Sequence, residues 1–400
     1  MIRLVFLDFI GFWCTIRVIN WLKERQNKNP RENLRLASEH VSCLSFSFIA
    51  FILGVKAFGV KVISLLKKDS QLLHVVKRKE LFMSEIFEDK TENGKVRPWR
   101  ERKIENVRYA EYLAILEFKR AHDIRGCGEV LRFRKVGDHL KLYQTWFCHK
   151  RLCPLCNWRK SMKNSSQLKQ IIAEAVAREP KGRFLFLTLT VKNAHSAEEL
   201  KVSLRALTKA FNKLTRYKKV TKNLLGYLRS TEITVNEQDG SYNQHLHVLL
   251  FVKSSYFTGD SVNYIKQAEW TNLWQRALKV DYEPVVHVQA VKANKRKGTD
   301  SLQASAEETA KYEVKSADYM TADDERNLVV IKNLEYALAG TRQISYGGLL
   351  KQIKQDLKLE DVENGDLVHV GDEDYTKEQM EAAEEVVAKW DFNKQNYFIW

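Results

Sequence analysis

Between Arg183 and Val291 the chain switches repeatedly between two hydrophobic periods, and the switches outline a fold. Phe184 to Val191 (FLFLTLTV) is apolar and β-branched, which suits a central strand. Ser196 with Glu199 forms a capping box, after which Leu200, Leu204, Leu207 and Phe211 recur at helical spacing. Tyr227 to Val235 reads as a second strand, Asp239-Gly240 as a tight hairpin turn, and Gln244 to Leu250 as a third strand. A helix at about Tyr264 to Leu278 and a strand at Val285 to Val291 complete a β-α-β-β-α-β order. That order predicts an α+β fold, a ferredoxin-like antiparallel sheet with helices on one side.

The flanks follow the same rules. Tyr109 to Ala121 is helical, with Tyr109, Tyr112, Leu113 and Leu116 on one stripe. Glu129 to Val136 and His139 to Phe147 alternate like strands. A helix is expected from about Arg159 to Arg178, with Leu168, Ile171, Ile172 and Val176 inward. Downstream, helices are expected from about Ser305, over Asp323 to Ala339, and from about Lys377 to Lys389. Leu338 to Leu350 reads as a turn, a short strand and a glycine break. Beyond Asp356 the chain is acidic, which suits a solvated face or cap, and the aromatic end from Trp390 to Trp400 is expected to pack onto the body.

The first 82 residues differ in character. Leu44 to Val62 is nearly a membrane span, but Lys56 and Lys61 interrupt it, leaving less than the roughly 20 apolar residues that a crossing needs. Lys79-Glu80 can be encoded by a purine-rich ribosome-binding sequence just before Met83, where the composition turns polar. Residues 1–82 are therefore expected to be upstream read-through or a weak membrane segment. The remainder divides into a cysteine module with its helix (83–180), a sheet domain (181–322) and a helical, acidic C-terminal region (323–400).

Composition sharpens the picture. A net charge of +16 with 11% aromatic residues favours a polyanionic partner such as nucleic acid. Four of the six cysteines, Cys127, Cys148, Cys153 and Cys156, cluster in sequence, unlike a disulfide framework, which fits a reducing cytoplasmic setting. A C-x-x-C turn places two thiolates on one tetrahedral ion, and Cys127 with Cys148 is the expected second pair of a structural Zn²⁺ site. His149 is an alternative ligand, and a redox C-x-x-C or a set of unligated thiols are the rival readings. Lys150, Arg151, Arg159 and Lys160 around this knuckle suggest phosphate contact.

In Gln244 to Leu250, His245 and His247 share one strand face while Leu246, Val248 and Leu250 fill the other. With a two-residue Asp239-Gly240 turn, Thr234 lies opposite His245 and Glu232 opposite His247, so Glu232 joins the histidines. Two imidazoles and a carboxylate with open positions suit Mn²⁺ or Mg²⁺ and would accept Zn²⁺. His287 is the alternative third ligand. Further on, Glu308, Tyr312 and Lys315 fall on one helical face. A tyrosine becomes a useful nucleophile where a metal polarises the electrophile, and a carboxylate one turn away can act as base for a second nucleophile, water. A plain surface pair is the competing reading.

The motifs FLTLTVKN at Phe186 to Asn193, QHLHVLL at Gln244 to Leu250 and ETAKYEVK at Glu308 to Lys315 resemble those of the rolling-circle replication initiators of small Gram-positive plasmids, which are single-tyrosine HUH endonucleases. The segment FCHKRLCPLCNWRKS is similar to that family's cysteine-rich region, and the resemblance spans about Met83 to Trp400. It implies an enzyme that nicks one strand at the double-strand origin, with His245, His247 and Glu232 or another acid holding a divalent ion. Tyr312 would form a 5′-phosphotyrosyl link and free a 3′-hydroxyl. Glu308 would activate water at termination, and Lys315 would stabilise phosphate charge. Tyr319 is a second candidate nucleophile. Origin DNA, single-stranded or cruciform, a host helicase and polymerase, and a homodimer are the implied partners. The alternatives are an HUH transposase or relaxase, or a non-catalytic zinc-dependent DNA-binding regulator.

Overall fold

The computed structural model describes residues 85–91, 93–257, 263–291, 314–371 and 381–400. The N-terminal segment, Glu308, Tyr312 and the expected helix from Ser305 to residue 313 lie outside the described residues. Helix α1 (Trp99–Ile115) leads through the short α2 (Ala121–Arg125) into a hairpin, β1 (Val130–Val136) and β2 (His139–Gln144), followed by the long α3 (Pro154–Arg178). Pro154 at the first helical position starts α3 earlier than expected, directly at the cysteine knuckle. Then come β3 (Arg183–Thr190), α4 (Ala197–Leu214), the single-turn α5 (Lys218–Thr221), β4 (Leu224–Val235), β5 (Tyr242–Val252), α6 (Gln267–Leu278) and β6 (Val286–Ala290). The chain closes with α7 (Ser316–Tyr319), α8 (Asp324–Leu338), β7 (Ile344–Gly348), α9 (Leu349–Asp356), β8 (Glu384–Asp391) and β9 (Asn396–Ile399).

Two antiparallel sheets result, β2-β1-β8-β9 and β6-β3-β5-β4-β7. In the larger one, Leu185, Leu187, Leu189, Leu246, Val248 and Leu250 form the apolar face under α4 and α6, whose own stripe of Leu200, Leu204, Leu207 and Phe211 is buried as the pattern required. Ser196 Oγ accepts from the amide of Glu199 at 3.1 Å, capping α4. The second face is not bare, contrary to helices on one side only. Leu168, Ile171, Ile172 and Ala175 of α3 and Leu350 and Ile353 of α9 cover Phe184, Leu228, Leu249 and Phe251 there. Val176 of the expected stripe is exposed, with Ala175 buried instead.

The helix expected from Lys377 to Lys389 is corrected over the described residues. Glu384 to Asp391 is a strand that pairs along β1, from Val130 opposite Lys389 to Lys135 opposite Glu384. Ala388 and Trp390 point into the core on alternate positions, and the demand of β1 for a second partner outweighs the helix propensity of the Ala- and Glu-rich stretch. Residues 85–400 form one compact unit. Elements cross the limits expected at 180 and 322: α3 joins the cysteine knuckle to the larger sheet, β7 adds to that sheet, and β8 and β9 return to the smaller one.

Candidate metal centres

The knuckle gathers its four thiols as the spacing suggested. The Sγ atoms of Cys127 and Cys156 lie 3.6 Å apart, those of Cys148 and Cys156 3.6 Å, and those of Cys153 and Cys127 3.8 Å. Four sulfurs at 2.3 Å from one zinc ion form a tetrahedron with edges of about 3.8 Å, so the set fits that ion. Cys127, Cys153 and Cys156 have no solvent exposure, and burial pushes the Cys127 and Cys156 thiols up. A bound cation would supply the charge that favours thiolates. The backbone amide of Cys148 donates to Cys127 Sγ at 3.3 Å, and Asn106 Nδ2 donates to Cys153 Sγ at 3.3 Å. The fully buried Lys103 amine, which burial pushes down to about 8, donates to the carbonyls of Arg125 and Cys127 and places a cation beside the sulfurs. His149 stands outside the thiol set, in the turn with φ of +55°.

The basic residues around the knuckle are turned inward rather than offered to phosphate. Arg159 donates to the carbonyls of Leu367 and Val368, and Lys160 to that of His149. Arg151 bonds Thr341 and approaches Glu363 at 3.7 Å, Lys163 pairs with Glu360 at 2.6 Å, and Lys150 lies 3.8 Å from Glu335. The acidic stretch after Asp356 is thus an internal counter-charge for α3, a cap with a specific partner.

The second cluster lies on the larger sheet. The β4–β5 loop has four residues, Glu237 to Gly240, not two: Asn236 accepts from the Gly240 amide and donates to the Ser241 carbonyl. Asn236 Oδ1 accepts from Gln238 and Asp239 Oδ1 from Ser241, which stabilises the wider loop. The register therefore moves by two positions, placing Glu232 opposite His245 and Ser230 opposite His247. A shift of two preserves the face, so Glu232 still joins the histidines.

Glu232 Oε2 lies 2.7 Å from His247 Nε2 and 3.7 Å from His245 Nε2, and the two imidazole nitrogens are 3.1 Å apart. Neighbouring ligands of an octahedral ion at 2.1 Å are separated by about 3.0 Å, so these donors fit adjacent positions of one ion. Burial acts to raise the carboxyl of Glu232, but hydrogen bonds from His245 and His247 hold it well below the usual carboxylate range. It is a carboxylate ready to ligate. Lys315 Nζ lies 3.5 Å from Glu232 Oε1, on a half-exposed side chain. Phe186, whose part pattern analysis did not reveal, stacks beneath His247 at 5.5 Å, and Thr188 Oγ1 meets His247 Nδ1 at 3.4 Å. Both come from β3, where Thr188 opposes His247; only cross-strand register could have found them.

His287 opposes Thr188 on its other side and so shares the face, but it sits two strands from His247 and outside the donor group. Tyr319 is fully buried, and its hydroxyl donates to the Leu152 carbonyl at 2.6 Å. Burial pushes its pKa well up, so it is a structural residue and the candidacy as nucleophile is withdrawn. Lys315 is the member of the Glu308, Tyr312 and Lys315 set that falls within the described residues, and it is extended, at the N-cap of α7, rather than part of the expected helical face.

Residues 139–398 match a protein-family profile described as "Replication protein". The chain belongs to that family. Over 318 residues it is 96% identical to a "Protein rep" of Lactiplantibacillus plantarum, covering 80% of this chain and all of the relative. A "Protein rep" of Streptococcus pneumoniae is 44% identical over 317 residues, 78% of this chain and 95% of the relative. A "Replication protein" of Staphylococcus aureus is 44% identical over 238 residues, 60% of this chain and 99% of the relative. No solved structure matches the chain. Among the described residues of this replication protein, no helix is long and apolar enough to cross a membrane.

Proposed function

We propose that this replication protein starts rolling-circle replication of a plasmid by nicking one strand at the double-strand origin. The observation that carries the reading is the cluster of Glu232, His245 and His247 on one sheet face, with the Lys315 amine at its edge. Membership of the replication-protein family supports it. The strand order β6-β3-β5-β4 supports reading the sheet as the ferredoxin-like core of an HUH endonuclease, with β7 as an added edge strand.

A divalent ion, Mn²⁺ or Mg²⁺, held by Glu232, His245 and His247 would polarise the scissile phosphate. The Tyr312 hydroxyl attacks phosphorus, and a tyrosyl–phosphorus bond forms as the bond to the 3′-oxygen breaks. The 3′-oxygen takes up a proton, giving the hydroxyl that primes the host polymerase, while a host helicase opens the duplex. Tyr312 precedes Lys315 by three residues. An extended chain spans at most about 3.6 Å per residue, which keeps its backbone within about 11 Å of that of Lys315. Lys315 offsets phosphate charge, and Glu308 activates the water that ends the cycle. The cysteine set holds structural Zn²⁺, and the protein works in the cytoplasm, where the plasmid is.

Incubation with Mn²⁺ and a labelled single-stranded origin oligonucleotide should give a denaturation-resistant adduct with the intact protein and none with Tyr312→Phe. An adduct that persists in Tyr312→Phe would remove the nucleophile assignment. We also infer that translation starts at Met83. The relative that is matched over its whole length spans 318 residues, and 400 − 82 = 318. N-terminal sequencing of protein made from the native gene should read from Met83, and a chain that begins at Met1 refutes it.

A further inference from the structure

The sheet continues beyond β4 into β7, and α9 leaves β7 at once through Gly347-Gly348. Gly348 has a φ of +57°, and a Cβ there would fall 2.4 Å from the Leu225 carbonyl oxygen; one on Gly226 would fall 2.8 Å from the Leu350 nitrogen. These glycines let α9 seat directly on the backbone of β4. Leu350 and Ile353 are buried beneath it. Lys351 and Lys354 of α9 and Lys358, two residues past its end, line with Arg342 and Tyr346 a groove of about 640 Å³.

Asp361 and Glu363 also line the groove and pair with its Arg342 and Lys160, at 3.5 and 3.6 Å, which leaves the lysines at and just beyond α9 as its uncompensated charge. Among the described residues, Lys351 and Lys358 have no carboxylate within 4.0 Å, and Lys354 lies over the Tyr346 ring at 5.0 Å from its centroid. This contrasts with Arg159, Lys160 and Lys163 of α3, which are paired or bonded to carbonyls. The groove also has a defined position relative to the metal face. Ile344 opposes Ser230, which opposes His247, so Ile344 and Tyr346 share the face of the donor cluster. Two inter-strand spacings, about 10 Å, separate β7 from β5.

We infer that this groove holds the phosphodiester backbone of a single DNA strand running to the metal face. Lysines without a carboxylate partner along the groove match a chain of phosphates. The volume suits a nucleotide-sized unit rather than a duplex. The assignment of the strand's destination rests on the nicking reading.

The test uses the full chain and a fluorescently labelled thymidine homopolymer, with affinity followed by anisotropy over a range of salt concentrations. Replacing Lys351, Lys354 and Lys358 together by Ala should weaken binding at least about tenfold and reduce the salt slope by about 2, three contacts at about 0.7 each. The three Lys→Arg replacements should keep both. Mn²⁺ binding by calorimetry should be unchanged in the Ala variant, which shows that the sheet is intact. Unchanged affinity and slope in the Ala variant overturn the groove, as does lost duplex binding with single-strand binding preserved. A protein that binds the homopolymer through these lysines but forms no adduct would instead overturn the nicking reading and leave the groove standing.

Discussion

The two donor clusters of this replication protein are built on opposite terms. The four cysteines come from a turn before β1, the loop after β2 and the first turn of α3, and three of them are wholly closed to solvent. Glu232, His245 and His247 come from paired strands on the sheet face that α3 and α9 cover elsewhere, and Glu232 and His247 are largely buried there. A site with all four positions filled by protein gives stability, whereas three donors with open positions leave room for a substrate oxygen. The same contrast holds for charge. Cations near the cysteines are internal struts, whereas Lys315, beside the sheet cluster, and Lys351 and Lys358, in and just beyond α9, retain exposed side chains.

The largest effect should come from the closed cluster. Cys153→Ser should cost about 4–5 kcal/mol or more, with loss of bound zinc and a lower thermal midpoint for the whole unit, because α3 carries the knuckle into both sheets. A variant that melts like the parent, by calorimetry, would erase the distinction. His247→Ala should retain the fold and lose Mn²⁺ binding and adduct formation at least about a hundredfold. Glu232 has a depressed folded pKa, so its contribution to stability is present above its unfolded value and lost as pH falls through the folded one. Losing an imidazole partner should raise that folded value, and the variant should unfold at a higher pH during acid titration. A fall in neutral stability as large as that of Cys153→Ser would make both clusters structural.

Tyr319→Phe should have the smallest effect, about 1–2 kcal/mol from the unpaired Leu152 carbonyl, with adduct formation unchanged. The raised folded pKa of Tyr319 means that the native chain keeps a proton that the unfolded chain releases above about pH 10. Stability therefore falls as pH rises through that range, and the variant should show a shallower fall. Loss of the adduct in a folded Tyr319→Phe protein would return Tyr319 to the active site.

Much of this was legible locally. The capping box at Ser196, the alternation that puts His245 and His247 together, and the C-x-x-C at Cys153 and Cys156 are each decided within a few residues by backbone period. Glu232 was legible only in part. Its face depends on parity, which survives a change of two in the loop, but its partner depends on the loop itself, and the side chains of Asn236 and Asp239 favour four residues over two. The strand β8 was not legible, because its conformation is imposed by β1, more than 240 positions earlier.

The sequence by itself determined which residues could bear metal chemistry and which strand face His245, His247 and Glu232 occupy, since side-chain direction along a strand follows from a period of 2 residues. The tertiary structure alone decided what each charge is for. Arg159 and Lys160 read like phosphate ligands in sequence and are struts in the fold, while Lys351, Lys354 and Lys358 pass unnoticed in sequence and line an open groove. The reason is that a cation's role depends on which distant carboxylates and carbonyls the fold brings to it, and those contacts have no local signature.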